Sequence, residues 1–257
     1  MRILITNDDG IEAPGIQALR RALEPQADIL VVAPSRQRSA SGHAITMERA
    51  LYAHHYVYGP NSQGWGVDGT PADCVKIGTE LMAKTPPDLL VSGINNGANL
   101  GRDVFYSGTV AGAIEGAFQG IPAIAISLDG ADYQGYTWAA AFLRWWISSR
   151  DFVAPPSTIV YNVNVPSLSR GVPTAMRAVR LGLREYTNHM AQKSDAHQRT
   201  YFWLTGRPTG TAEEDGTDVG AHQAQFVTVT PLHLDWTAYP LLDTLPGLSQ
   251  HIPSIDF

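Results

Sequence analysis

Met1-Arg2-Ile3-Leu4-Ile5-Thr6-Asn7-Asp8-Asp9-Gly10 opens the chain. The stretch Ile3 to Thr6 is apolar and β-branched without alternation, the pattern of a strand buried on both faces of a parallel sheet. Asp8 and Asp9 follow directly, so paired charge sits at the carboxyl end of that strand, and Pro14-Gly15 opens a helix-like stretch behind it. In open α/β sheets ligands bind outside the carboxyl ends of the strands. Two neighbouring anions there repel each other unless something positive holds them. A hard divalent cation, which takes oxygen ligands, is the simplest such partner. The same residues also read as turn chemistry, because an Asp after a strand caps amides two or three residues on. Other segments have to decide between these readings.

The chain has 257 residues, enough for one large α/β domain or two small ones, and 44% hydrophobic content supplies an ordinary core. Net charge of -6, with 18 basic residues and no Lys/Arg-rich block, argues against a duplex nucleic-acid binder. A phosphate ligand would therefore be handled locally, by a metal or by backbone amides. Cys74 is the single cysteine, which excludes an intramolecular disulfide and a cysteine-rich zinc site and fits a reducing compartment. No signal-peptide pattern and no long apolar stretch is apparent, so the expectation is a soluble, cytoplasmic protein with no membrane partner.

Strand-like and helix-like segments alternate over the first 165 residues. Strands are expected at Ile3–Thr6, Ile29–Ala33, Leu89–Val91, Ala123–Ile126 and Ile159–Val165. Between them helices are expected around Ile16–Leu23, around Val75–Met82 after Thr70-Pro71, from near Ser107, and over Trp138–Ile147. This alternation predicts a parallel sheet with helices on both faces. From about Val179 short strand-like runs take over, such as Thr200–Leu204 and Phe226–Thr230, separated by polar stretches. Isolated hairpins are marginal in water, so these runs must lie on the main sheet or on another subunit. Arg207–Gly220 reads as a mobile loop.

Three polar loops share the expected carboxyl edge with Asp8 and Asp9. Ser92-Gly93-Ile94-Asn95-Asn96-Gly97-Ala98-Asn99 leaves a strand, and its asparagines offer neutral carbonyl ligands to a hard cation. Tyr106-Ser107-Gly108-Thr109-Val110 places Ser107 as a helix cap and leaves the first-turn amides of Gly108 and Thr109 for an anion. Pro34 to His43 brings Arg36, Arg38, three serines and His43, suited to phosphate oxygens or a metal shell, with His43 itself reading as a surface loop residue. Each of these also reads as turn or capping chemistry. Gly64-Trp65-Gly66-Val67-Asp68-Gly69 formally satisfies the dinucleotide fingerprint, but the acidic residue at the right distance, Asp88, begins a strand instead of ending one, and the fingerprint is set aside.

Taken together, Met1–Gly10 with Ala13-Pro14-Gly15-Ile16, Ser92-Gly93-Ile94-Asn95, Asn99-Leu100-Gly101 and Tyr106–Val110 resemble SurE, the survival-protein family of metal-dependent 5'/3'-nucleotidases; Gly69-Thr70-Pro71 and Thr230-Pro231-Leu232 extend the likeness. The resemblance implies a Rossmann-like α/β fold, doubly wound on a mostly parallel sheet, with a C-terminal β-hairpin extension used for oligomerisation. It implies one domain over 1–257, with the α/β core over 1–178 and a β-rich arm over 179–257 that makes a homodimer or homotetramer. It further implies one divalent ion per subunit, Mg²⁺ or Mn²⁺, held by Asp8, Asp9, Ser39 and Asn95, with Asp8 and Asp9 catalytic. Asn95, Asn99, Ser107, Gly108 and Thr109 would bind the substrate phosphate. The activity it implies is hydrolysis of nucleoside 5'- and 3'-monophosphates, with short polyphosphate as a side substrate. A non-catalytic nucleotide-binding or sensor protein is the alternative from another class. One position departs from the family: Asp235 is followed four residues later by Tyr239 where the family carries His.

Overall fold

The computed structural model describes residues 1–60, 62–130, 132–187, 189–206, 208–210 and 216–242. Its centre is β1 (Arg2–Thr6), with α1 (Pro14–Leu23), β2 (Asp28–Pro34), β3 (Ala53–Gly59), β4 (Ser62–Val67), α2 (Pro71–Ile77) and β5 (Leu89–Asn96) following in order. After β5 come a 3₁₀ turn (Gly101–Phe105), α3 (Gly108–Phe118), β6 (Ala123–Leu128), α4 (Tyr133–Ser148), β7 (Ile159–Val165) and β8 (Met176–Ala178). These strands, with β13 introduced below, form a sheet ordered β3-β4-β2-β1-β5-β6-β7-β13-β8. From β4 to β7 every neighbouring pair is parallel, while β3 runs antiparallel to β4 at one edge and β13 antiparallel to β7 near the other.

β1 has β2 on one side and β5 on the other. The chain first winds away from β1 in one direction and later returns to continue in the other, so a crevice opens between the carboxyl ends of β1 and β5. The apolar run of β1 feeds both faces of the sheet. Ile3 and Ile5 join a core with Ile16, Leu19 and Leu143, beneath α1 and α4. Leu4 joins the opposite core with Val75, Val110 and Ala113, beneath α2 and α3.

Local chemistry sets the helix starts. Pro14 occupies the first turn of α1, where its missing N–H is no loss. A β-carbon at Gly15 would lie 2.0 Å from the Ile94 carbonyl oxygen, so only glycine lets α1 begin against the end of β5. Thr70 and Asp73 form a reciprocal capping box at α2, and Asp73 also accepts Thr46 N and Oγ1 at 2.9 and 2.6 Å, which ties down the loop after His43. The helix expected over Val75–Met82 ends at Ile77 and widens into a π turn over Gly78–Met82. The helix expected over Trp138–Ile147 starts earlier, at Tyr133, because Asp132 caps it through the Gly135 amide.

The Gly64–Gly69 segment is no dinucleotide turn: Gly64 and Gly66 lie inside β4, across from Tyr56 and His54 of β3, and β-carbons there would meet the Tyr58 and Tyr56 rings at 2.8 and 3.0 Å. Beyond β8 the chain forms β9 (Arg184–Tyr186), β10 (His189–Ser194), β11 (Thr200–Thr205), β12 (Pro208–Gly210), α5 (Asp218–Gln223), β13 (Val227–His233) and α6 (Tyr239–Leu242). Among the described residues β10 and β11 pair only with each other, as an antiparallel hairpin, whereas the run at Phe226–Thr230 enters the main sheet as β13. The expected mobile loop divides: Pro208–Gly210 pairs with β9, Thr217 caps α5, and Arg207 with 211–215 lies outside the described residues.

Candidate active site

Asn7 shapes the turn after β1. Its side-chain amide donates to the Gly10 carbonyl at 2.9 Å and its Oδ1 accepts the Gly10 amide at 3.2 Å. This is the asparagine turn chemistry that the sequence allowed, and it holds Asp8 and Asp9 outward at the crevice. The Asp8 carbonyl accepts Arg38 N at 2.7 Å, fastening the loop after β2 to the same turn.

Four segments meet at the two carboxylates. Asp8 is 4% exposed, and its Oδ1 accepts the Thr109 hydroxyl at 2.5 Å. Asp9 accepts the Asn96 amide at 3.0 Å through Oδ2 and, more weakly, Gln37 Nε2 at 3.4 Å through Oδ1. Gln37 Nε2 also donates to Ser39 Oγ at 2.8 Å, so it links the Ser39 loop to Asp9. Gly108 closes the fourth side: a β-carbon there would sit 3.0 Å from Asp8 Oδ2 and 3.1 Å from Ser41 Oγ.

Electrostatically this is an anionic site without a countercharge. Among the described residues neither Asp8 nor Asp9 forms an ion pair. Burial pushes the Asp8 carboxyl up to about 6, and the neighbouring Asp9 charge adds to the rise; burial raises Asp9 as well. The uncompensated charge reaches Tyr136 on α4, whose phenol is pushed up to about 12 by burial and then by Asp9. Among the described residues no group of three or more His, Cys, Asp and Glu gathers, so two carboxylates with neutral oxygens are what this crevice offers. That set suits a hard cation such as Mg²⁺ and suits a softer ion poorly. Asn95 donates its side-chain amide to the Gly97 carbonyl at 2.8 Å, which leaves its Oδ1 as the available acceptor.

Ser107 is a helix cap: its Oγ accepts Val110 N at 3.1 Å. The Gly108 and Thr109 amides begin the helix without intrahelical acceptors, as first-turn amides do. Thr109 gives both its hydroxyl and its backbone amide to the Asp8 carboxylate. Asn99 is engaged elsewhere. Its side chain donates to Ser127 Oγ at 2.8 Å, its amide donates to Asn164 Oδ1 at 2.7 Å, and its carbonyl accepts both Asn162 and Asn164. These buried amides anchor the loop that carries Asn95.

One expectation is corrected. Arg36 and Arg38 were placed for phosphate, but Arg38 pairs with Asp68 at 2.6 Å, Arg49 joins that carboxylate at 3.0 Å and Arg36 lies 4.0 Å from it. His43 is an exposed loop residue, as expected; its Nε2 lies 3.0 Å from Glu115 Oε2, and the ring stacks on Phe118. The His43 hydrogen bond, with help from Gln119 and Lys76, holds the Glu115 carboxyl down at about 2. The replaced family position is in use, since Tyr239 Oη donates to Asp235 Oδ2. Gln37, Asn162 and Asn164 escaped the sequence reading. Only the last two carried a signal, as polar residues alternating within an otherwise apolar strand.

Fold and site define a doubly wound α/β protein with an acidic, oxygen-rich crevice at its switch point and a helix N-terminus beside it. The family model described as Survival protein SurE matches residues 3–188, and the chain belongs to that family. It is 47% identical to the 5'-nucleotidase SurE of Pelotomaculum thermopropionicum over 251 residues, covering 96% of this chain and 95% of that one. The 5'-nucleotidase SurE of Heliobacterium modesticaldum is 45% identical, with 94% and 89% covered. The crystal structure of the SurE protein from Aquifex aeolicus superposes with a TM-score of 0.81 at 36% identity, covering 95% of this chain and 98% of that one.

The buried Asp8 charge makes a stability prediction. With its carboxyl raised from 3.8 to about 6, the folded protein binds that proton more tightly than the unfolded chain does. The ionised form therefore destabilises the fold fully above about pH 6, and the penalty fades as pH falls toward 3.8. In chelator-treated protein at pH 7.5, Asp8→Asn raises the unfolding free energy by on the order of 3 kcal/mol, and the gain shrinks toward pH 4. Urea denaturation at both pH values checks this; an unchanged or lower midpoint at pH 7.5 contradicts it.

Proposed function

We propose that this chain is a metal-dependent phosphomonoesterase that hydrolyses nucleoside 5'- and 3'-monophosphates to nucleoside and phosphate. The observation that carries this reading is the meeting of the Asp8–Asp9 pair, without a countercharge among the described residues, with the amino terminus of α3. The relatives' name, 5'-nucleotidase, agrees with it. Asp8, Asp9, Ser39 and Asn95 would hold a Mg²⁺ or Mn²⁺ ion. When bound, that ion supplies charge neutralisation at the phosphoryl oxygens and a lowered pKa for attacking water.

The chain's own residues do the remainder. Ser107, Gly108 and Thr109 at the start of α3 receive the phosphate, with the Gly108 amide stabilising the equatorial charge that builds during transfer. Asp8 and Asp9 are the groups able to orient the attacking water and take its proton. Thr109 positions the Asp8 carboxylate, Gln37 ties Ser39 to Asp9, and Asn99 fixes the loop bearing Asn95. Hydrolysis of p-nitrophenyl phosphate and of a nucleoside monophosphate is expected to fall at least a hundredfold on chelation and in Asp8→Asn and Asp9→Asn, about the size of one lost transition-state stabiliser. Activity that survives chelation and both substitutions would overturn the metal reading, and tight nucleotide binding with no turnover would favour a sensor.

We also propose that residues 1–257 act as one domain whose 179–257 part is an assembly arm, giving a homodimer or homotetramer in the cytoplasm. Phe202 on β11 and Met190 on β10 share one face of the hairpin, Trp203 lies on the other, and each is more than 60% exposed, apolar area on both faces suited to a second copy. Sedimentation velocity of a Phe202→Ser, Trp203→Ser double variant should show a smaller species than the unaltered chain. An unchanged sedimentation coefficient would remove the hairpin from the interface.

A further inference from the structure

The segment from Ala98 to Tyr106 joins the two halves of the crevice, with Asn95 and Asn96 at the end of β5 before it and Ser107 at the cap of α3 after it. Residues 81 to 117 positions further along the chain hold it from outside. Arg184 Nη1 donates to the Ala98 carbonyl at 3.2 Å and to Asp103 Oδ2 at 2.8 Å, and Tyr186 Oη donates to the same Asp103 oxygen at 2.7 Å. We propose that Arg184 and Tyr186, clasped on Asp103, are positioning residues for phosphoryl transfer, setting where Ser107 and the start of α3 stand relative to Asp8 and Asp9. This deepens the phosphomonoesterase reading above and rests on it.

Asp103 is gripped at its side chain and acts through its backbone. Its carboxylate takes the clasp, while its carbonyl accepts the Tyr106 and Ser107 amides at 3.0 and 3.1 Å, so any displacement of the carboxylate is passed to the helix cap. There is little slack beyond the cap. Ser107 Oγ holds Val110 N, and a β-carbon on Gly108 would lie 2.8 Å from the Asp8 β-carbon. Phosphoryl transfer is sensitive to such placement, since a shift of about 1 Å at a reacting group costs on the order of a hundredfold in rate. The clasp itself is stiff. Arg184 and Asp103 side chains are only 21% and 17% exposed, and charge-assisted bonds gain strength where water is kept away. Burial, and then the hydrogen bond to Asp103, push the Tyr186 phenol up to about 12, so it stays a donor at neutral pH. A second grip lies beside the first. Gly101 has φ +53°, a β-carbon there would lie 2.6 Å from the Gly182 carbonyl oxygen, and Asp218 bridges the two backbones by accepting Gly101 N at 2.8 Å and Gly182 N at 2.7 Å. β9, which carries Arg184 and Tyr186, pairs with β12, so the β-rich later part of the chain bears on the crevice without entering it.

Loosening the clasp tests this. With saturating Mg²⁺ and p-nitrophenyl phosphate, kcat is expected to fall roughly tenfold or more in Arg184→Ala and about threefold in Tyr186→Phe, and in both to fall by more than KM rises. Millimolar guanidinium ion should return part of the rate to Arg184→Ala and none to Tyr186→Phe. A measurement independent of turnover accompanies these: hydrogen exchange at the Tyr106 and Ser107 amides should quicken by about tenfold in Tyr186→Phe. An unchanged kcat in folded Arg184→Ala, or a loss that follows the urea midpoint and is not relieved by guanidinium, overturns the proposal and leaves the clasp a fastening of the fold. If Arg184→Ala does not fold, Tyr186→Phe decides through kcat and exchange together, and no change in either overturns the proposal. An unaltered protein that hydrolyses no phosphomonoester would instead overturn the reading above, and the exchange rates would still report whether the clasp sets the cap.

Discussion

Two carboxylates on consecutive residues, drawn into a crevice where neither forms an ion pair among the described residues, set the terms for the rest of this molecule. A buried unpaired charge destabilises a fold unless it shifts its pKa or finds a partner. Here Asp8 shows the shift, and the surrounding groups supply hydrogen bonds without supplying positive charge. The three nearby arginines all turn to Asp68 instead. An arrangement of this kind weakens the empty protein and favours whatever divalent ion enters, which is how a site gains affinity at the expense of stability.

Holding such a pair in place takes a stiff frame. β1 supplies it by being buried on both faces, so the Asn7 turn projects from the middle of the sheet and not from an edge. The loop after β5 is fixed from below by the Asn99, Ser127, Asn162 and Asn164 amides, which satisfy one another in the interior. Close approach does the last step. Gly15 brings α1 onto the end of β5, and Gly108 brings the start of α3 onto Asp8, at distances that a β-carbon would forbid. The same helix then leads away from the crevice along an apolar cavity.

Features set by a few adjacent residues were legible in the chain alone. The buried strand at Ile3–Thr6, the Thr70 cap followed by proline and the Ser107 cap all depend on near neighbours, and all are present. Features set by distant partners were not. β4 has two glycines and little strand character of its own; its place depends on the Tyr56 and Tyr58 rings of β3 lying over them. Hydrophobic alternation marked Phe226–Thr230 as a strand, yet nothing local says that it runs antiparallel beside β7. Arg38 looked like a phosphate ligand because Asp68, its partner, stands 30 residues away. Gln37 and Ser41 gained their places only once the loops met.

The central claim is that the Asp8 carboxylate waits for a divalent ion. Following its carboxyl carbon by NMR through a pH titration, in metal-free protein and again with saturating Mg²⁺, tests this most directly. The account predicts a midpoint near 6 without metal and a midpoint well below that of a free aspartate with it. A midpoint that is the same in both samples would contradict it.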